Sequence, residues 1–167
     1  PFTLDVNTTG TTTFGGIVGG TNALATLTMA GGGITAINGG SITTSGAQSY
    51  VDAVVLGAAA ALNSTGAGIT AINGGNSAAG YGLALNTAGN ATVRFDSFLL
   101  GVSSVGGNLD LTASGTIGQS GPLTVTGTTV LNAPGQGITL LAPANDFGGV
   151  VIASGSRIQL NVASNLS

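Results

Sequence analysis

Apolar and polar residues alternate along most of this chain in short runs, and glycine breaks the runs. Leu123-Thr124-Val125-Thr126 and Ile158-Gln159-Leu160-Asn161 put aliphatics on one side of an extended strand and hydroxyls or amides on the other. The pattern predicts strands at 2–6, 11–14, 24–29, 34–38, 48–56, 69–73, 83–86, 91–96, 108–113, 123–128, 129–132, 138–141, 149–153 and 157–162. Most are rich in β-branched residues, which suit a pleated surface. The breaks are Gly-Gly, Asn-Gly and Ser-Gly, where positive φ costs little. A helix signal appears only within 52–63, around Ala58 to Ala61, and the valines and Gly57 there fit strand–loop–strand as well.

The strands belong to a repeat. Leu-x-x-x-Gly recurs at Leu27, Leu62, Leu85, Leu111 and Leu131, and Val6 heads a related unit. Asn63, Asn86 and Asn132 take the second place in three of these units. The heads are spaced by 21, 35, 23, 26 and 20 residues. One octapeptide is repeated outright: Gly33-Ile34-Thr35-Ala36-Ile37-Asn38-Gly39-Gly40 returns as Gly68 to Gly75, 35 residues on. Thr13 to Gly16 is echoed more loosely by Asp146 to Gly149. A sandwich would use hairpins and two facing sheets. A parallel β-helix stacks equivalent residues of successive coils, which explains why the same residue types return.

The chain therefore reads as all-β, a single parallel β-helix (β-solenoid) segment over 1–167 with roughly seven or eight coils, about 35–40 Å long at the strand spacing. Ile34 and Ile69 are expected to point into a shared interior, and stacked Asn to form amide ladders along a corner. The interval of 35 calls for a longer coil or protruding loop around 41–61. Alternatively, Ile42 heads a unit of its own and splits that interval into 15 and 20. The start at Pro1 and the unit under way at 165–167 suggest an excerpt of a longer solenoid, with further coils of the same parent chain at both ends.

Composition changes the picture mainly by exclusion. Glycine supplies 31 of 167 residues, and charged residues are only 4%, against about 25% in ordinary domains. Hydrophobic residues at 43% argue against disorder. No run approaches the roughly 20 apolar residues of a membrane-spanning helix. Five Phe and two Tyr are too few for the aromatic girdles of an outer-membrane barrel. Membrane insertion is therefore not expected. Two cationic residues and a net charge of −3 argue against nucleic acid as a partner. Without cysteine there is neither a disulfide scaffold nor a thiolate metal site.

Thr11-Thr12-Thr13-Phe14-Gly15-Gly16, the doubled Ile-Thr-Ala-Ile-Asn-Gly-Gly, the run from Gly118 to Val125 and the stretch from Leu131 to Gly149 resemble the repeat regions of filamentous-haemagglutinin-like large bacterial exoproteins. These are the adhesins of two-partner secretion systems. The resemblance covers essentially the whole chain and implies a right-handed parallel β-helix, export through an outer-membrane pore and a place at the bacterial cell surface. It transfers no binding residue to any position here. The function it implies is that of a stalk segment, extending a binding region away from the cell. The partners it leaves are host or surface glycans or proteins, and other rods, end to end or side by side.

Candidate chemistry is sparse. Thr11 and Thr13, Thr26 and Thr28, and Thr124, Thr126 and Thr128 alternate along single strand faces. A flat array of them would offer an ice- or glycan-binding surface; ordinary solvated β-surface is the plainer reading. A polysaccharide-acting β-helix enzyme ranks third. It would need carboxylates about 5–10 Å apart, and Asp96 and Asp110 on neighbouring coils are the one pair to consider. Arg94 and Asp96, at i and i+2, are expected to pair with each other. Gly106-Gly107-Asn108-Leu109-Asp110 only faintly resembles a calcium-binding nonapeptide and reads better as a turn. No cofactor or metal site and no catalytic residue is assigned. Tyr50, Tyr81, Phe95 and Phe98 are expected to plug the core or a corner.

Overall fold

A computed structural model describes residues 1–149 and 151–163, so Val150 and the unit expected at 165–167 lie outside the described residues. The described residues form nineteen strands and no helix. Coil 1 holds β1 (Leu4–Asn7) and β2 (Thr11–Phe14) and closes through Val18 and Leu24, which bridge to Ile42 and Thr44. Coil 2 holds β3 (Leu27–Ala30), β4 (Ile34–Ile37) and β5 (Gly40–Thr44). Coil 3 holds β6 (Gln48–Tyr50), β7 (Ala53–Leu56) and β8 (Ala60–Ser64). Coil 4 has β9 (Ile69–Ala71) and β10 (Leu83–Thr87). Coil 5 has β11 (Ala91–Phe95), β12 (Phe98–Leu100) and β13 (Ser103–Val105). Coil 6 has β14 (Leu109–Ala113), β15 (Ile117–Gln119) and β16 (Leu123–Val125). Coil 7 has β17 (Thr129–Leu140) and β18 (Asp146–Phe147), and β19 (Val151–Leu160) opens coil 8.

All the strand pairings are parallel, and the register is that of a β-solenoid of about eight turns. On the first face, Leu4, Leu27, Gln48, Ile69, Ala91, Leu109, Thr129 and Val151 lie directly over one another, so a coil takes 18 to 23 residues. On the third face, Ile42, Leu62 and Leu85 stack in the same way. The second face is split. There β2, β4 and β7 form a separate three-stranded sheet. Coil 4 crosses this face with a single bridge, Val55 to Ser77. From coil 5 onward β12, β15 and the later halves of β17 and β19 carry it.

Two expectations are corrected by this register. No longer coil or loop protrudes around 41–61. Four strands occupy the region, and Ile42 pairs with Leu62, so the alternative unit headed by Ile42 is the real one. The Leu-x-x-x-Gly heads also sit on two different faces: Leu27, Leu111 and Leu131 on the first, Leu62 and Leu85 on the third. The interval of 35 counts across from one face to another.

The duplicated octapeptide does not stack either. Thirty-five residues is about one and two-thirds coils, which carries the second copy to another side of a three-faced prism. The first copy lies in β4 on the second face and the second in β9 on the first. Their phases are opposite. Ile34 is 42% exposed with Thr35 buried, whereas Ile69 is 1% exposed with Thr70 outward. A one-residue change of phase exchanges the two sides of a strand. The expectation that Ile34 and Ile69 share an interior fails at Ile34.

The core is a narrow column of aliphatics in which size is traded between coils. Tyr50, almost fully buried, stacks between Met29 and Ala71. Its hydroxyl donates to Gln48 Oε1 at 2.9 Å, and Gln48 Nε2 donates to the carbonyls of Ile42 and Asn63. Gln48 can thus stand in a column that is otherwise aliphatic apart from Thr129, because the network satisfies it. Phe95 and Phe98 also plug the interior, with ring centroids 5.6 Å apart. Tyr81 departs from the expectation and is 42% exposed.

Corners bring backbones into contact, which explains much of the glycine. A Cβ on Gly39 would stand 2.3 Å from Gly16 N in the coil below. Gly31, at φ 114°, would place one 2.5 Å from Thr8 N. Acid and amide side chains complete the same corners. Asp52 Oδ1 accepts from Gly32 and Gly33 N–H, Asn76 Oδ1 from Val54 N–H, and Asp96 Oδ1 from Ala78 N–H, each donor lying one coil back.

Candidate functional site

The seven candidate threonines do not form one surface. Thr11 and Thr13 point outward from β2 on the second face, and Ile34 and Ala36 lie above them, so no hydroxyl ladder continues there. Thr28 is on the first face, and Thr26 precedes β3, its hydroxyl 3.1 Å from that of Thr3. Thr124 is on the third face, paired with Ser104 and Asp146, and Thr126 and Thr128 follow at the next corner. Three faces and both halves of the rod separate them.

Two ladders exist that the alternation of single strands does not reveal. On the first face Thr28, Ser49, Thr70 and Thr92 stack outward in successive coils, with Asp5 and Asp110 continuing the column. On the third face Asn86 Nδ2 donates to Asn63 Oδ1 at 3.0 Å, and Asn63 Nδ2 to Thr43 Oγ1 at 3.3 Å. This is the expected amide ladder, on a strand rather than a corner, while Asn132 stands apart on the first face. A second ladder turns the corner into the first face: Asn90 Oδ1 accepts from Asn108 N–H, and Asn108 Oδ1 from Thr128 N–H. The signal for these columns was the coil length, which the mixed intervals concealed.

The charged residues are arranged otherwise than their spacing suggests. Arg94 and Asp96 do not pair. Asp96 Oδ2 accepts from Ser77 Oγ at 2.7 Å, and Oδ1 accepts from the N–H groups of Ala78 and Ser97. Partial burial pushes the Asp96 carboxyl up, but these hydrogen bonds outweigh it and hold it below the usual carboxylate range. Asp110 stands outward beside Thr92, while Asp96 is level with Ser114, four positions further along the rung. Four residues of extended chain separate the two by about 13 Å, too far for a paired-carboxylate mechanism. Gly107 and Asn108 serve the corner, and no group of three metal-binding side chains occurs among the described residues.

Two depressions collect polar side chains: one of about 490 Å³ lies on the third face around Asn63 and Asn86, and the other, on the first face, holds the cation Arg94. The latter measures about 450 Å³ and is lined by Gly74, Arg94, Phe95, Thr112, Ala113, Ser114, Asn132 and Pro134. Its axis is a column of the first face, Arg94 over Thr112 over Asn132, one residue from each of three consecutive coils. Phe95 and Ala113 are buried beneath it and fix its floor. The Arg94 carbonyl accepts from Asn76 Nδ2, but among the described residues its guanidinium makes neither a hydrogen bond nor an ion pair.

Comparison with known proteins identifies one repeat family. A model described as Repeats of unknown function (DUF5649) matches residues 88–154, which span coils 5 to 7 and the start of coil 8. This stretch is similar to that family and contains the whole Arg94–Thr112–Asn132 column. No curated protein and no solved structure matches the chain.

Proposed function

We propose that this chain is a structural stalk segment of a secreted bacterial surface adhesin, holding a binding region away from the cell. The observation that carries the reading is the unbroken stack of eight rungs on the first face, from Leu4 to Val151. Seven steps of about 4.8 Å make a rod of about 34 Å whose rigidity comes from continuous parallel ladders. Among the described residues β1 and β19 each pair on one side only, and further coils of a parent chain would continue the ladder there. The likeness of the glycine-punctuated repeats to filamentous-haemagglutinin-like exoproteins supports export and surface display. Low charge and absence of cysteine suit passage through a pore as an unfolded chain, followed by coil-on-coil folding outside.

Antibodies raised against the purified segment test this on the organism that makes it. Labelling of intact cells, lost after external protease treatment, is the expected result. Labelling that appears only after lysis would overturn the proposal.

A further inference from the structure

Arg94 is anomalous in this molecule. The chain has only two cationic side chains, and this one projects from mid-rod with no partner among the described residues. The nearby carboxylates do not neutralise it. Both oxygens of Asp96 are engaged at the corner. Asp110 is diagonal to Arg94 across the β11–β14 pair, a separation of about 7–8 Å. The guanidinium faces a depression shared with the Thr112 hydroxyl, the Asn132 amide and Ser114. Beyond it, Val51 and Ile72, which directly follow the paired Tyr50 and Ala71, are 58% and 56% exposed. The outward surface thus runs from apolar, through one cation, to a hydroxyl and an amide.

We propose that this column is a binding groove for an acidic polysaccharide, a run of hexuronic acid units lying along the rod axis with one carboxylate held by Arg94. A guanidinium grips a carboxylate through two parallel hydrogen bonds. Thr112 and Asn132 supply neutral donors and acceptors at successive rungs, about 4.8 Å apart, close to the advance per ring of an extended glycan. The volume falls within the usual range for small-ligand sites, about 300–1,000 Å³. An extended peptide has less to hold it. The backbone of this face is already paired on both sides within the sheet, so strand addition is closed to it. A single-stranded nucleic acid would find no exposed aromatic ring in this lining on which to stack its bases, because Phe95 is buried. The site is independent of the stalk reading, because binding is measured on the purified segment.

The test uses tetragalacturonate, its fully methyl-esterified counterpart and tetra-aspartate as probes, with affinity from calorimetry and location from amide chemical shifts. Tetragalacturonate should bind saturably, shift Arg94, Thr112 and Asn132, and weaken as salt rises. The ester should bind at least about tenfold more weakly. Arg94→Gln should lose about tenfold or more without a change in melting, since Arg94 is exposed. Asp110→Asn should tighten binding by removing a like charge. Equal binding of the ester, tetra-aspartate binding as well as the sugar acid, or an Arg94→Gln variant of undiminished affinity would overturn the proposal.

Discussion

Ile34 and Ile69 stand in identical octapeptides and meet opposite environments. Ile34→Asp should cost less than about 1 kcal/mol, because its side chain already reaches water. Ile69→Asp puts an unpaired carboxylate into an apolar column and should cost upwards of about 3 kcal/mol, with loss of the neighbouring coils. Chemical denaturation of the two variants in parallel checks the phase assignment; equal losses would contradict it. The phase also leaves a mark at Thr35, whose hydroxyl is buried without a hydrogen-bond partner. Thr35→Val should therefore stabilise the fold by about 1 kcal/mol, whereas Thr70→Val, at the equivalent place of the second copy, should be nearly neutral. Sequence could not decide this phase. Thr35 in β4 and Thr70 in β9 have the same flanks, and only the neighbouring coils, Val54 above Thr35 and Ser49 below Thr70, set which side faces inward.

At the scale of strands and corners, alternation located most of the β-structure, and the misses have physical causes. Residues 48–56 look like one strand, but Asp52 turns inward to cap Gly32 and Gly33 and divides it into β6 and β7. Residues 129–132 and 138–141 look like two strands, yet β17 runs through both, with its pairing to β19 shifting between Ala133 and Gly137. Short pieces such as β12 and β13 hold too few residues to show a period, and only stacking on β15 and β16 defines them. The groove at Arg94 was illegible for a related reason. Its three residues are dispersed in sequence and meet only when β11, β14 and β17 are set in register. The Asp96 corner makes a pH prediction. Its carboxyl is held below the usual range, so its stabilising effect is complete above the unfolded-chain pKa of about 3.9 and is lost as pH falls through the lower folded value. Melting curves between about pH 5 and pH 2 should show this loss in the native protein and a shallower acid limb in Asp96→Asn.

For the whole molecule, the repeating register means that integral coils are interchangeable in a way that fractions are not. Removing residues 109–128 joins Asn108 to Thr129, which occupies the same column position as Leu109. The shortened chain should keep its β-sheet circular dichroism and melt cooperatively, since each coil interacts mainly with its neighbours. Removing only 109–118 takes out β14 and most of β15, so that β16 of the third face follows the corner that should lead into the first face, and it should abolish the cooperative transition. A folded half-coil deletion would count against the register itself.

The displaced octapeptide has a further consequence, for the gene. Where the codons of the two copies are alike, crossing over between them would excise 35 codons. The product would carry Gly40 straight into Asn76, sending the chain across the second face twice in succession. Such a descendant would be misfolded rather than merely shorter. Viable length variants must arise from breakpoints such as Ile42 and Leu62, whose codons differ but whose places in the coil agree.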